Sequence, residues 1–295
     1  MNNSIRTDLA LEMHEFLNQK KSSSSTKNQL PGVDVSIEKH SQFTITHVKI
    51  TSKEGELSIG KPIGSYITLE LHDLNQNPPD IFPKIFSSQI LKLIHLKKTD
   101  PILVIGLGNK DITPDSLGPA VISKLRITRH IIHLIDDQNV RPICAAATGV
   151  LGTTGIETLE IVKGIVEKVH PSLVIVVDAL AARSISRIGT TIQLSNTGIC
   201  PGSGVGNNRK ELSINTLNVP VMSIGIPTVI DRNTLVYDLL DNVLGKIPPS
   251  YADTIQNMLS CLNADNNMIV TPKEIDSLIQ SSSDIIAQGL NYALL

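Results

Sequence analysis

Val104-Ile-Gly-Leu-Gly-Asn109 and Val174-Ile-Val-Val-Asp-Ala-Leu-Ala-Ala-Arg183 give the strongest structural signal in this chain. Each stretch opens with a short run of Val, Ile and Leu, which is typical of a parallel strand buried on both faces. Asp115 follows the first run after a short loop, and Asp178 directly ends the second. The carboxyl ends of parallel strands form the ligand crevice of an open α/β sheet. We therefore expect the two carboxylates to share a cleft, an arrangement suited to acid–base chemistry.

Apolar runs and amphipathic stretches continue to alternate on both sides of these segments. This alternation predicts an α/β fold with a mostly parallel sheet and helices on both faces. Strands are expected at residues 101–106, 142–147, 173–178, 190–195 and 219–224, and helices at residues 80–98, 118–125, 157–169, 233–243 and 273–290.

The amino-terminal third of the chain has a different pattern. Residues 43–50 and 65–71 alternate apolar and polar side chains, as half-buried antiparallel strands do. We expect a small antiparallel β lobe over about residues 33–74, with a turn at residues 53–56.

Composition excludes several classes of function. A formal net charge of -2, 3% aromatic residues and no Trp argue against a nucleic-acid-binding surface. The three cysteines form no CxxC pair and no histidines have ligand-like spacing, so neither a metal nor another cofactor is expected. Because the amino terminus lacks an apolar signal segment and no stretch approaches 18 apolar residues, we expect a cytoplasmic protein without membrane contact.

Each acidic candidate also has a structural interpretation. Asp115 follows Pro114 and precedes a predicted helix, a common position for a helix cap or turn residue. Asp178 is equally typical of a strand-end loop anchor. The stretch Gly106-Leu-Gly-Asn109 resembles the start of a phosphate-binding turn, although Asp111 stands where the third glycine belongs. A nucleotide- or small-ligand-binding α/β module is therefore one alternative.

The glycine-rich segment 197–210 is a candidate for close contact with a ligand. Glycine lets the backbone approach a bound molecule and offer N–H donors, as an oxyanion hole requires. We assign substrate-binding or oxyanion roles to Asn109, Gly202, Gly204 and Gly206. A mobile surface loop explains the same composition equally well.

Many collinear motifs along nearly the whole chain resemble those of one family. They include Thr51-Ser-Lys-Glu-Gly-Glu-Leu57, Val104-Ile-Gly-Leu-Gly-Asn109, Thr113-Pro-Asp-Ser-Leu-Gly-Pro119, Val177-Asp-Ala-Leu-Ala-Ala-Arg183, Pro201-Gly-Ser-Gly-Val-Gly-Asn207, Gly225-Ile-Pro-Thr-Val229 and Thr271-Pro-Lys-Glu-Ile-Asp276. The chain is similar to the spore germination protease family, the endopeptidases that degrade small acid-soluble spore proteins.

The resemblance implies a fold similar to that of the hydrogenase-maturation endopeptidases, with Asp115 and Asp178 as the acidic pair of the cleft. It also implies a homotetramer in the spore core, made as an inactive zymogen that cleaves itself as the core acidifies. Small acid-soluble spore proteins would be the substrates. Which aspartate acts as acid and which as base stays open, and so do a metal-dependent maturation-type endopeptidase and a non-catalytic spore scaffold.

A self-processing site is expected near the amino terminus. The resemblance implies cleavage after an acidic residue that precedes a bulky apolar one, and Arg6-Thr-Asp8 followed by Leu9-Ala-Leu-Glu12 fits that pattern. We predict cleavage between Asp8 and Leu9, so that residues 1–8 form a propeptide and residues 9–295 a single α/β protease domain. A weak amphipathic helix within residues 1–18 and a flexible linker at residues 20–26 are also expected.

Overall fold

The computed structural model describes residues 6–22, 30–72, 81–134, 140–206, 209–244 and 268–295. Their strands join in one sheet in the order β1-β2-β3-β7-β8-β6-β4-β5, with β9 paired to β8. The strands are β1 (Val33–Lys39), β2 (Phe43–Ile50), β3 (Gly64–Leu71), β4 (Ile102–Leu107), β5 (Ile143–Gly149), β6 (Leu173–Ala182), β7 (Thr191–Ser195), β8 (Val221–Asp231) and β9 (Ile269–Val270).

Helices connect these strands and cover the sheet. They are α1 (Ala10–Ser22), α2 (Lys53–Ile59), α3 (Phe82–Leu93), α4 (Leu117–Ile122), α5 (Leu151–Thr154), α6 (Thr158–Val169), α7 (Ile214–Leu217), α8 (Arg232–Leu244) and α9 (Ile275–Leu294). Short 3-10 turns occur at Thr113–Asp115, Ile132–Leu134, Ile185–Arg187 and Ser203–Val205.

The parallel strands β5, β4, β6 and β8 form one half of the sheet. Strand β7 is antiparallel to β8, and β3, β2 and β1 continue outward in antiparallel pairs. The predicted α/β fold with helices on both faces is confirmed, and so are the antiparallel strands near the amino terminus. Those antiparallel strands extend the same sheet, because β3 pairs directly with β7.

Alternating side chains of the strands give the sheet two different faces. On one face, apolar residues such as Ile175 and Ile224 pack against α3, α4 and α9 in the largest core cluster, around buried Phe86. On the other face, α6 and α7 pack over the parallel strands, where Val174 and Val176 are buried. Helices α1 and α2 pack on that same face over the antiparallel strands β1, β2 and β3.

Three local predictions differ from the structure. Asp178 does not end its strand, since β6 runs four residues further to Ala182 beside the long strand β8. Residues 53–56 begin helix α2 rather than a turn, because Ser52 caps the helix by accepting a hydrogen bond from the N–H of Gly55. Of the predicted linker 20–26, residues 20–22 belong to α1 and the rest lie outside the described residues.

No helix in the described part of the chain is long and apolar enough to cross a membrane.

Candidate active site

Asp178 lies at the point where β4 and β6 stop pairing. Strand β4 pairs with β6 only as far as Gly106 opposite Val177, so Asp178 is the first residue of β6 beyond that pairing. On its other side Asp178 stays in register with Gly225 of β8. Asp178 is only 6% exposed, and its Oδ1 accepts a hydrogen bond from the N–H of Ala179 at 2.9 Å.

Asp115 is brought to this point by the loop after β4. Its carboxylate accepts the N–H of Asn109 at 2.7 Å, and its turn packs so closely on Gly108 that a Cβ there would lie 1.9 Å from the Asp115 carbonyl oxygen. A bulge in β8 directs the hydroxyl of Thr228 to the carbonyl oxygen of Pro114 at 2.7 Å. Asp115 therefore does not cap α4, and the glycine turn holds a carboxylate-bearing loop.

Burial raises the pKa of both aspartates, but only Asp178 is also raised by neighbouring carboxylates. Burial raises the pKa of Asp178 well above its ordinary value of 3.8, and the nearby carboxylates of Asp115 and Asp8 raise it further. Burial also raises the pKa of Asp115, against a lowering effect of the Asn109 N–H. Two close carboxylates in a buried site favour sharing one proton, and Asp178 has the surroundings that disfavour charge more strongly.

The chain's own amino-terminal segment lies in this site. The N–H of Asp8 donates to the carbonyl oxygen of Ala181 at 2.9 Å, and the N–H of Ala181 donates back to Oδ2 of Asp8 at 2.9 Å. The hydroxyl of Ser203 donates to Oδ1 of Asp8 at 2.6 Å. The carboxylate at the predicted cleavage position is thus seated between β6 and the glycine-rich loop.

Two of the glycines predicted to contact a ligand, Gly204 and Gly206, lie against this segment. A Cβ at Gly204 would lie 2.2 Å from Oδ2 of Asp8, so only glycine leaves room for that carboxylate. Gly202 and Gly206, with φ of 76° and 74°, flank the 3-10 turn of the loop. A Cβ at Gly206 would lie 2.5 Å from the guanidinium of Arg6. Asn109, by contrast, serves the site by holding Asp115.

The segment is anchored on its carboxyl-terminal side by Leu9 and Glu12, which are 0% and 1% exposed. The Glu12 carboxylate accepts the backbone N–H groups of Arg183 and Ser184 at 2.6 and 2.9 Å, together with the hydroxyl of Thr7. Residues 1–5 of the predicted propeptide lie outside the described residues.

Sequence reasoning missed Gln193, Ser203 and Glu12 as residues of this region. Gln193 donates from Nε2 to the carbonyl oxygen of Asp8 at 3.0 Å and accepts the N–H of Ala10 at Oε1 at 2.8 Å. The available signal was a glutamine between Ile192 and Leu194 in a predicted strand. A cavity of about 160 Å³ borders Asp8, Gln193 and Ser203 and extends past them.

Among the side chains that the structure describes, no group of three or more His, Cys, Asp or Glu is arranged to hold a metal ion.

Comparison with known proteins identifies the family. The family model described as "Germination protease" matches residues 10–253. The chain is 42% identical over 317 residues to the germination protease of Clostridium acetobutylicum, and 41% identical over 314 residues to that of Clostridium tetani. Each alignment covers 99% of this chain and 95% of the relative. This chain belongs to the germination protease family. Like other germination proteases it is an endopeptidase of spore germination, and its substrates are proteins.

Among solved structures, the hydrogenase maturation protease HycI from Thermococcus kodakarensis is similar to this germination protease at 16% identity and a TM-score of 0.33. The match covers 65% of this chain and 92% of HycI. A likeness at this level carries no argument about activity.

Proposed function

We propose that this germination protease is a zymogen that cleaves its own Asp8–Leu9 bond and then small acid-soluble spore proteins, using Asp115 and Asp178 as an acid–base pair. The observation that carries the proposal is the seating of Asp8 on β6. The N–H of Ala181, three residues after Asp178 on β6, donates to the Asp8 carboxylate, and that carboxylate raises the pKa of Asp178. Both observations support a cleavage site next to Asp178. The homotetramer and the spore-core location are proposed from the family resemblance alone.

The pKa shifts suggest a division of roles within the pair. We assign the proton to Asp178, whose pKa is raised by burial and by two carboxylates, and the charge to Asp115, whose pKa is raised by burial against the lowering effect of the Asn109 N–H. Asp115 takes a proton from water as the water oxygen attacks the Asp8 carbonyl carbon. As the bond between that carbon and the Leu9 nitrogen breaks, Asp178 gives its proton to the leaving nitrogen. The products are the carboxyl group of Asp8 and the free amine of Leu9.

This geometry disfavours a nucleotide-binding role for the glycine turn after β4. The N–H of Asn109, which a phosphate would need, is already donated to Asp115. Gly106 instead serves close helix–strand packing, since a Cβ there would lie 2.5 Å from the carbonyl oxygen of Gly118.

The test is intact mass spectrometry of the full chain at mildly acidic pH with a peptide containing Thr-Glu-Phe-Ala-Ser-Glu. We expect loss of residues 1–8 and cleavage of the peptide after its first Glu. Asp115→Asn and Asp178→Asn should each lower both rates by about 10³-fold or more, because each removes one proton-transfer group.

Asp34→Asn is the matched control, since Asp34 is an exposed aspartate on β1 far along the sheet from β6. It should cleave at the wild-type rate. Cleavage by a folded Asp178→Asn variant at that same rate would refute the acid–base pair. A wild type that cleaves only with added divalent cations, and stops with a chelator, would favour the metal-dependent alternative.

A further inference from the structure

The side-chain amide of Gln193 spans the bond that we propose is cleaved. Its Nε2 donates to the carbonyl oxygen of Asp8 at 3.0 Å, and its Oε1 accepts the N–H of Ala10 at 2.8 Å. These two main-chain groups flank Leu9 and point to the same side, as in an extended strand. The Gln193 amide therefore pairs with the segment as the N–H and C=O of one residue on a neighbouring parallel strand would.

Hydrogen-bonding chemistry fixes the orientation of this amide. A backbone N–H is only a donor, so the partner of Ala10 must be the oxygen Oε1 of Gln193. The nitrogen Nε2 is then the atom that faces the carbonyl oxygen of Asp8. Gln193 is 8% exposed, so the amide makes both bonds in a buried setting.

The sheet register places Gln193 on the same row as Asp178. Both residues are in register with Gly225, Asp178 from β6 and Gln193 from β7. Residues paired directly across neighbouring strands present their side chains on the same face of a sheet. The acidic group and the amide therefore stand on one face, separated by the glycine of β8.

Two of the four predicted oxyanion residues use their N–H groups elsewhere. The N–H of Asn109 donates to the Asp115 carboxylate, and that of Gly206 donates to the carbonyl oxygen of Ser203. Gln193 supplies a donor to the Asp8 carbonyl oxygen in their place.

We infer that Gln193 is a catalytic residue of this protease, whose Nε2–H stabilises the negative charge that develops on the carbonyl oxygen of the cleaved bond. The inference rests on the proposed cleavage between Asp8 and Leu9. The Oε1 of Gln193 accepts the N–H of Ala10, the second residue after the cleaved bond. This hydrogen bond keeps the carbonyl oxygen of Asp8 turned toward the Nε2 donor. A buried, preoriented donor of this kind typically contributes about 10²–10³-fold to rate.

The competing interpretation is structural. Ala10 is the first residue of α1, and the first N–H groups of a helix need acceptors. If Gln193 only satisfies that N–H, its loss lowers stability and leaves catalysis on a separate peptide unchanged.

Gln193→Met and Gln193→Glu separate the two roles. Both are measured in the full chain for first-order self-cleavage, and with the peptide Arg-Thr-Asp-Leu-Ala-Leu-Glu, copied from residues 6–12, for kcat and KM. Gln89→Met is the matched control, because Gln89 is 4% exposed but lies in α3, whose core cluster is on the other face of the sheet. Tm is recorded for every variant.

We expect Gln193→Met to lower self-cleavage and kcat by about 10²-fold with a smaller change in KM, while Gln89→Met keeps the wild-type kcat. Gln193→Glu can donate to the carbonyl oxygen only when its carboxyl group is protonated. The ratio of its kcat to that of the wild type should therefore fall about tenfold per pH unit above the pKa of the new carboxyl.

A wild-type kcat in Gln193→Met, whatever its Tm, would overturn the inference. So would a Gln193→Glu ratio that stays constant with pH, because a merely structural role has no reason to follow that protonation. If the wild type itself fails to cleave at Asp8–Leu9 or in the peptide, the proposed function fails first, and that result differs from an effect confined to the Gln193 variants.

Discussion

Glu12 and Asp178 are two buried carboxylates, 1% and 6% exposed. Asp178 is a residue of β6, and Glu12 binds the two residues that follow β6. Glu12 accepts two backbone N–H groups and the hydroxyl of Thr7, and Arg187 stands 3.7 Å away. Asp178 accepts one N–H and faces two further carboxylates. Burial raises the pKa of both groups, but every other neighbour of Glu12 lowers its pKa, whereas the other carboxylates raise that of Asp178.

The comparison shows that burial alone does not give a carboxylate a function. A buried carboxylate that is surrounded by donors stabilises the fold, because each donor needs its acceptor. A buried carboxylate that lies among other carboxylates costs free energy when it ionises, so its pKa is raised. A raised pKa suits a group that must hold and release a proton. The same change from carboxylate to amide should therefore have opposite effects at the two positions.

The largest expected stability effect is that of Glu12→Gln. One carboxylate oxygen becomes an NH₂ group, which then faces the N–H of Arg183 or Ser184 and leaves a donor unpaired. We expect a loss of about 1–3 kcal/mol in the free energy of unfolding. Urea titration followed by circular dichroism measures it.

This measurement is best made in an Asp115→Asn background, so that the amino-terminal segment stays attached. Glu54→Gln is the control, because Glu54 is exposed on α2 and its substitution should change stability little. An unchanged unfolding free energy in Glu12→Gln would mean that the anchor contributes nothing to stability.

Asp178→Asn should have the opposite and smaller effect. The amide oxygen can still accept the N–H of Ala179, and its NH₂ group no longer repels the carboxylates of Asp115 and Asp8. We expect a rise in Tm of about 2–4 °C at pH 7, the shift that about 1 kcal/mol produces in a domain of moderate size. A lower Tm than that of the intact wild type would contradict our description of the site.

The smallest expected effect is the change with pH of the Tm difference between Asp178→Asn and the wild type. Because the folded pKa of Asp178 is raised, the wild type binds more protons when folded than when unfolded. The stability that this proton contributes is complete below the ordinary pKa of 3.8, and it is lost as the pH rises through the folded pKa of Asp178. The variant lacks this loss, so the Tm advantage of Asp178→Asn should grow from pH 4 to pH 7. A constant difference would place the raised pKa elsewhere.

Several elements were predictable from local pattern alone. The apolar runs of β4 and β6 and the amphipathic pattern of α6 are set by side chains a few residues apart, so the sequence shows them directly. Helix α2 was missed because its turn-like composition hides a cap at Ser52. The extension of β6 and β8 past Asp178 was missed because their pairing with each other stabilises residues that look like loop.

What the sequence determined by itself was the α/β alternation, the two aspartates after buried runs and the acidic residue before Leu9, because each depends on neighbouring residues or on motifs shared with a family. Only the tertiary structure decided that Asp8 pairs with Ala181 of β6, and that Gln193 meets Asp8 across 185 positions of chain. Such contacts come from sheet order and register, which join segments distant in sequence. The two hydrogen bonds of Gln193 therefore leave no periodic or local trace in the chain itself.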